Sequence, residues 1–333
     1  LYLGGVMEHI EEAGIHSGDS SCTLPPITLG PDIIAKVKDA TEKIARGTGV
    51  RGLINIQFAY VSENLYVIEA NPRASRTVPF VSKATGVQMA KAAVLIGLGK
   101  SIAELKAEGY LPSNMDGASL PEETAIAVKA AVLPFARFRT PEGVVVDSLL
   151  SPEMRSTGEV MGLDKHYDTA FAKAQAGAGS PLPTSGKVFI SVANHDKRNV
   201  IIYAKMLESL CFEIVSTGGT AEVLRRNGLN SVLVASKFAE ANGDHSIVDM
   251  VRNGDIDLIL NTPAGGAARS DGYEIRAAAV SVGCPVMTTI SEFAAAVQAI
   301  NALREHSWDI MSLQEHGVQL AAAVDARSEG GEA

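Results

Sequence analysis

Between residues 187 and 305, short apolar runs alternate regularly with helix-length segments. The apolar runs predict strands at 188–192, 213–215, 231–234, 258–260 and 286–287. The intervening and following segments predict helices at 198–210, 220–227, 246–253, 273–282 and 291–303. Such alternation is typical of a parallel, doubly wound sheet, whose ligands bind at the carboxyl ends of the strands. We therefore predict an α/β fold with a ligand site at that edge.

The rest of the chain divides at a linker. Residues 176–187 are rich in Gly, Ser and Pro, as domain boundaries are. Residues 1–99 predict a helix at 31–45, strands at 52–60 and 65–70, and a helix at 87–98. Residues 100–180, which include an apolar stretch at 125–135, predict a mostly helical connector. We thus predict three regions: 1–99, 100–180 and 181–333.

The composition excludes some classes of function. A formal net charge of −9 with 46% hydrophobic and 20% charged residues describes a globular protein without a basic stripe for nucleic acid. No apolar run reaches the roughly 18 residues of a membrane span. Three widely spaced cysteines are typical of a reduced, cytoplasmic protein. The sequence starts at Leu1 in what has the pattern of mid-domain sequence, so we expect a fragment of a longer chain.

A polar cluster follows the predicted strands of the first region. Gln57 lies within one strand, and Glu69 and Asn71 lie two residues apart at the end of the next, so the latter two share a face. Carboxylate and amide oxygens suit Mg²⁺ held between protein and phosphate. Arg73 and Arg76 follow and could clamp phosphoryl oxygens. The cluster fits phosphoryl transfer, although a polar strand end with an ordinary ion pair gives the same pattern.

A second polar cluster lies in the C-terminal region. Residues 216–220 (STGGT) join a predicted strand to a helix, and such a Gly-rich turn at a helix N-terminus favours an anion. Lys197 could supply a positive charge, and Asn261 and Thr262 end another strand at the same edge. The pattern predicts a phosphate pocket, or alternatively a simple tight connection.

Four motifs resemble one enzyme family over nearly the whole chain. HSGDSS (16–21), VRGLINIQFA (50–59), IEANPRASRTVPFVSKATG (68–86) and PEMRSTGEVMG (152–162) resemble the ATP-grasp half of carbamoyl-phosphate synthetase large subunits that makes carbamoyl phosphate. The resemblance implies that region 1–99 is the C-terminal part of an ATP-grasp domain. It also implies that this ligase acts in arginine and pyrimidine biosynthesis with a small glutamine amidotransferase subunit. The chain alone is expected to be inactive.

The same resemblance implies roles for individual residues. Gln57, Glu69 and Asn71 would hold Mg²⁺ or Mn²⁺, and Gln57 and Glu69 would also contact ATP. Arg73 and Arg76 would contact the reacting phosphate and carbamate. The turn that would line the ATP pocket comprises Gly14, Ile15, His16 and Ser17.

The C-terminal region resembles the methylglyoxal-synthase-like domain of that family. STGGTAEVL (216–224), NTP (261–263) and DGYEIRAAA (271–279) carry the likeness. It implies an allosteric site for a nucleotide of the UMP or IMP class, with contacts from Ser191, Lys197, Thr217, Thr220, Lys237, Asn261 and Thr262. The family's ornithine pocket uses acids matching Glu11 and Asp19, but Ala130 stands where a further Glu is expected. We therefore do not expect ornithine to activate.

Three alternatives remain open at this point. The C-terminal region could be a methylglyoxal synthase, but Asn261 stands where that enzyme would carry an Asp base, which leaves Asp244 as the candidate. The first region could belong to another ATP-grasp enzyme, such as a biotin-dependent carboxylase or an amino-acid ligase. The chain could also be a non-catalytic effector-binding module.

Overall fold

A computed structural model describes residues 1–122, 124–139, 145–236, 246–263, 265–305 and 308–330. In chain order its elements are β1 (Glu8–His9), β2 (Cys22–Leu24), α1 (Pro31–Thr48), β3 (Asn55–Val61), β4 (Asn64–Asn71), α2 (Thr77–Thr85), α3 (Met89–Gly97), α4 (Ile102–Ala107), β5 (Ile126–Val132), β6 (Gly158–Asp164), α5 (Tyr167–Gly177), β7 (Lys187–Ser191), α6 (Lys197–Ser209), β8 (Glu213–Ser216), α7 (Gly218–Arg226), β9 (Leu233–Val234), α8 (Ile247–Arg252), β10 (Leu258–Asn261), α9 (Gly265–Val282), β11 (Val286–Met287), α10 (Ile290–Glu305) and α11 (Leu313–Gly330). None of the helices in these residues combines the length and apolarity that crossing a bilayer requires.

The C-terminal region forms a five-stranded sheet in the order β11-β10-β7-β8-β9. All four strand pairings in it are parallel. The chain runs outward from β7 to β9 and then returns to the other side of β7 with β10, so the strand order reverses at the β7–β10 crevice. The predicted α/β fold with a parallel sheet is confirmed.

Two apolar cores cover the faces of this sheet. Val188 and Ile190 of β7 point into a core that also takes Phe171 from α5 and Phe293 from α10. Phe189, between them on the strand, packs on the opposite face in a core with residues of α8 and α9. Because its central residues 188–190 are buried on both faces of the sheet, β7 has a continuous apolar run at its centre.

The predicted helical connector needs correction. Residues 126–132 form strand β5, which lies between β2 and β6 in a sheet of order β1-β2-β5-β6. Antiparallel pairing on both edges satisfies its backbone, and five consecutive residues, 127–131, are buried. A short apolar run buried in this way has no periodicity that separates it from a helix. The connector therefore mixes strands with helices α4 and α5, and the predicted domain boundaries remain predictions.

A β-hairpin made of β3 and β4 stands apart from both sheets. Its two-residue turn places Ser62 and Glu63 at φ of 49° and 65°, the left-handed backbone of a type I′ hairpin turn. The register shifts between Gln57 and Phe58, where Gln57 pairs with Glu69 and Phe58 pairs with Val67. This bulge sets which side chains of the hairpin share a face.

Candidate functional site

The hairpin brings the predicted metal ligands onto one face. Gln57 is the direct cross-strand partner of Glu69, and Asn71 lies two residues beyond Glu69 on the same strand. Paired residues of antiparallel strands project to the same side, as do residues two apart. Asn55 pairs with Asn71 and so adds a further amide, which the sequence reasoning missed. Its position two residues before Gln57 was the available signal.

The donors on this face fit a hard divalent cation. Glu69 supplies a carboxylate, and Gln57, Asn71 and Asn55 supply amide oxygens, the ligand types that Mg²⁺ and Mn²⁺ prefer. Over the described parts of the chain, no group of three or more His, Cys, Asp or Glu side chains could hold a metal. An ion at the hairpin would therefore depend on amide oxygens and on oxygens of a bound phosphate.

The two predicted arginines have different surroundings. Arg76 donates from Nη2 to the Ser156 hydroxyl at 2.7 Å and lies 3.4 Å from the Gly18 carbonyl oxygen. Arg73 is exposed, and its Nη1 donates to the carbonyl of Ala74 at 3.1 Å. Arg76 thus connects three separate sequence motifs by hydrogen bonds. Arg73, at the end of the hairpin, remains accessible to a ligand.

The turn at residues 14–21 is held in shape by contacts with distant segments. Gly14 has φ of 112°, a backbone that favours glycine. The His16 N–H donates to the Ser151 carbonyl at 2.9 Å, and His16 Nδ1 accepts from the Gly18 N–H at 2.9 Å. The Asp19 carboxylate, only 2% exposed, accepts from the backbone N–H groups of Arg155 and Ser156 at 2.7 and 2.9 Å. The 16–21 and 152–162 motifs therefore form one structural unit.

A large cleft of about 1130 Å³ lies between the hairpin, α1 and the N-terminal segment. Ser17, Gln57, Arg73 and Lys129 are among the residues that line it. In the described structure, the other predicted ATP, metal and phosphate residues fall outside this lining, namely Gly14, Ile15, His16, Glu69, Asn71 and Arg76. The cleft thus reaches the candidate site at Gln57 and Arg73 and at one residue of the turn.

Two acidic side chains, Glu11 (buried) and Glu292 (half-buried), lie where the first region meets the parallel-sheet region. Burial raises the pKa of Glu11 to about 7, against hydrogen bonds that include one from the Ser21 backbone N–H at 2.7 Å. Burial, reinforced by the negative charge of Glu11, raises the pKa of Glu292 well above its ordinary value. Lys129 is only 3% exposed and donates to the Ser17 carbonyl at 2.8 Å. The candidate ATP turn is therefore anchored to a buried group of charges.

A second candidate site lies at the carboxyl edge of the parallel sheet. The Ser191 and Thr217 hydroxyls are 3.2 Å apart, and the Thr262 hydroxyl accepts from the Ala193 N–H at 2.9 Å. Thr220 is 2% exposed, and its hydroxyl lies 3.4 Å from the Val192 nitrogen. The ends of β7, β8 and β10 thus bring together hydroxyl groups that lie far apart in the sequence.

Positive charge lies beside this edge. A Cβ added to Gly219 would lie 3.3 Å from Lys197 Nζ, so the ammonium sits at the N-terminus of α7. A helix N-terminus and a lysine together favour a phosphate. Lys237 and Asp244, the other predicted residues of this region, lie outside the described residues.

Asn261, 8% exposed, completes the edge and reveals residues that the sequence reasoning missed. Its Oδ1 accepts from Arg276 Nη1 at 2.7 Å. Arg276 is fully buried and forms a bidentate ion pair with Asp147. A single arginine within the apolar helix of DGYEIRAAA was the only local signal for this contact.

Two family models match separate parts of the chain. The family model "Carbamoyl-phosphate synthase L chain, ATP binding domain" matches residues 5–105, and the model "MGS-like domain" matches residues 199–288.

Curated relatives match along nearly the full chain. A carbamoyl phosphate synthase large chain from Kocuria rhizophila is 70% identical over 317 residues, which covers 95% of this chain and 29% of the relative. Those of Micrococcus luteus and Streptomyces coelicolor are 66% and 58% identical, covering 97% and 98% of this chain and 30% of each relative. The chain therefore spans about 30% of the length of these relatives.

Among solved structures, the biotin carboxylase domain of a single-chain bacterial carboxylase overlaps 48% of this chain and 39% of its own length. Its TM-score of 0.34 at 20% identity is too low to bear on function.

Proposed function

Because the chain belongs to the carbamoyl phosphate synthase large-chain family, we propose that it forms part of a ligase that phosphorylates carbamate with ATP to give carbamoyl phosphate. In this reaction a carbamate oxygen bonds to the γ-phosphorus of ATP, the bond to the bridging oxygen breaks, and ADP leaves. The observation that carries the proposal is the shared hairpin face of Gln57, Glu69 and Asn71. The product would serve arginine and pyrimidine biosynthesis.

The residues of the first site would have different roles in phosphoryl transfer. Gln57, Glu69 and Asn71 would hold Mg²⁺ or Mn²⁺, which when bound neutralises charge on the nucleotide phosphates. Arg73, exposed beside the hairpin, is suited to bind phosphoryl oxygens. Arg76 would keep the turn of Gly14, Ile15, His16 and Ser17 in place through its contacts with Gly18 and Ser156.

The second site would bind a regulatory nucleotide of the UMP or IMP class. The N-terminus of α7 and the Lys197 ammonium suit its phosphate, and the hydroxyls of Ser191, Thr217, Thr220 and Thr262 suit its polar groups. A methylglyoxal synthase is not favoured, because Asn261 Oδ1 accepts from Arg276 and a neutral amide cannot serve as a general base. Effector binding without turnover describes the role of this region by itself.

The partner of the complete enzyme would be a small glutamine amidotransferase subunit that supplies ammonia. A cytoplasmic location fits this role, and the free cysteines Cys22, Cys211 and Cys284 are compatible with a reducing compartment. Ornithine is not expected to act, since the acids Glu11 and Asp19 already accept backbone hydrogen bonds and Ala130 offers no carboxylate.

The decisive experiment changes Glu69→Gln in the full-length large chain with its small subunit. By microscopic reversibility, this half of the enzyme should make ATP from ADP and carbamoyl phosphate, so that partial reaction is measured directly. The variant should lose on the order of 10²–10³-fold in rate, because the carboxylate on the hairpin face is removed. Glu63→Gln, in the turn at the other end of the hairpin, is the matched control and should retain activity. Wild-type rates in Glu69→Gln would remove the hairpin face from the reaction.

A further inference from the structure

The largest fully buried side chain of the described residues is a cation, Arg276 of α9. Its Nε and Nη2 each donate to the carboxylate of Asp147 at 2.7 Å, so the pair is bidentate. Such a pair gives little net stability, because the buried guanidinium loses its hydration while the Asp147 side chain, 30% exposed, remains partly solvated. The energetic contribution of this pair does not by itself account for placing an arginine in the core.

The same guanidinium fixes the orientation of a residue in the second site. Arg276 Nη1 donates to Asn261 Oδ1 at 2.7 Å, so the amide nitrogen faces the other way, 3.5 Å from the Ser191 carbonyl oxygen. Asn261 therefore presents a hydrogen-bond donor to the carboxyl edge of the sheet. A ligand group that contacts it there must be an acceptor, such as a carbonyl or a phosphate oxygen.

The other partner of Arg276 lies on a segment that reaches the first site. Tyr273, one turn before Arg276 on α9, donates from its hydroxyl to the Val145 carbonyl at 2.7 Å. Two side chains of helix α9, Tyr273 and Arg276, thus form hydrogen bonds with residues 145–147. Four residues beyond Asp147, the Ser151 carbonyl accepts from the His16 N–H at 2.9 Å. The segment 145–151 therefore spans from the helix behind Asn261 to the turn proposed to contact ATP.

We propose that Arg276 is a positioning residue that couples the two sites. It orients the Asn261 amide toward a bound nucleotide. Through Asp147 it also sets the position of segment 145–151, and hence the position of the turn at His16. The proposal rests on the assignment of the second site as an effector site. A nucleotide that bonds to Asn261 would act on Arg276 through the shared hydrogen bond. Movement of the ion pair would then change the affinity of the turn for ATP.

The first test uses Asp147→Asn and Tyr273→Phe in the full-length large chain with its small subunit. Both variants keep side-chain size, and neither residue lies in either site. Whatever the KM for ATP of each variant without UMP, the ratio between its KM values without and with saturating UMP should shrink at least about fivefold relative to wild type. An unchanged UMP effect on KM in both variants would overturn the coupling.

The second test disturbs the orientation of Asn261 from a neighbouring backbone position. A Cβ on Gly272 would overlap Arg276 Nη1 and Asn261 Oδ1, so the hydrogen bond between these two atoms must shift. Gly272→Ala should therefore weaken UMP binding at least about fivefold while thermal stability is retained. Gly317→Ala in α11, where the added Cβ meets nothing within 4 Å, is the control. Wild-type affinity in Gly272→Ala would refute the positioning role. If neither UMP nor IMP bound the wild-type enzyme, the proposed effector function itself would fail.

Discussion

The guanidinium of Arg76 donates a hydrogen bond to the hydroxyl of Ser156 at 2.7 Å across 80 residues of chain. Ser156 in turn donates from its hydroxyl to the Gly18 carbonyl at 2.9 Å. These bonds connect the end of the hairpin motif, the turn at residues 16–21 and the segment before β6. Three of the four motifs that carry the family resemblance thus meet at one arginine.

Arg76→Lys in the full-length enzyme tests this junction. Both contacts are made by one nitrogen, Arg76 Nη2, and the shorter side chain of a lysine would not place its ammonium at that point. We expect kcat/KM for ATP to fall about 100-fold, with folding retained, because the turn is no longer held in register with the hairpin. Steady-state kinetics with ATP as the varied substrate measure this loss. Arg226→Lys, in an exposed helical ion pair with Glu222, should leave the kinetics unchanged.

Lys197→Ala tests the second site separately from the first. Removing the ammonium beside the N-terminus of α7 should weaken UMP binding by at least about tenfold, since the phosphate loses a charge-assisted partner. Turnover without UMP should remain at the wild-type rate. Isothermal titration and kinetics on the same preparations distinguish the two effects. Arg198→Ala, at the exposed neighbouring position, is the control, and equal losses in both variants would argue against a specific contact.

The local sequence pattern was sufficient to predict the parallel sheet and the shared face of the hairpin residues. The strands of the C-terminal region are short apolar runs between helix-length segments. This alternation can be recognised in the sequence without any knowledge of long-range contacts. Glu69 and Asn71 share a face by strand alternation alone, and only the bulge beside Gln57 had to come from the structure. The sequence therefore predicted the placement of these two residues on one face.

The features that the sequence did not predict share one physical cause: each depends on residues that lie far away in the chain. Residues 126–132 form a strand because β2 and β6 flank them, and an apolar run of this length fits a buried helix equally well. Arg276 and Asp147 are 129 residues apart, so no local signal pairs them. The shape of the turn at His16 likewise depends on Ser151.

The buried carboxyl of Glu11 predicts a pH-dependent stability. Its pKa is raised by burial from 4.5 to about 7, so the stability present below pH 4.5 is lost as the pH rises through 7. Glu11→Gln removes this titration and keeps an oxygen for the Ser21 N–H. Thermal unfolding from pH 4.5 to 8 should show a shallower loss for the variant and greater stability than wild type at pH 8.

Two further variants separate Glu11 from its neighbours. Glu292→Gln should reduce the same loss, because burial and then the negative charge of Glu11 also raise the pKa of Glu292. Glu12→Gln, on the exposed neighbouring residue, should change the curve least, because the Glu12 charge makes the smallest of the contributions that raise the pKa of Glu292. Identical pH profiles for Glu11→Gln and Glu12→Gln would show that Glu11 is not the group responsible.

Gly162 of β6 sets how closely helix α5 approaches the antiparallel sheet. A Cβ at this position would overlap the Ala170 carbonyl oxygen and the Ala174 nitrogen, which are backbone atoms of α5 and cannot rotate away. Gly162→Ala should therefore force the helix off the strand and reduce the free energy of unfolding by about 3 kcal/mol, as overpacking in a core does. Gly158→Ala on the same strand is the matched control, because its Cβ would meet Val132 at an ordinary 3.9 Å. Chemical denaturation of both variants measures the difference. Equal stability would mean that α5 can shift freely, and since α5 packs against α10, it would also mean that the two sheets are less rigidly joined than their shared core indicates.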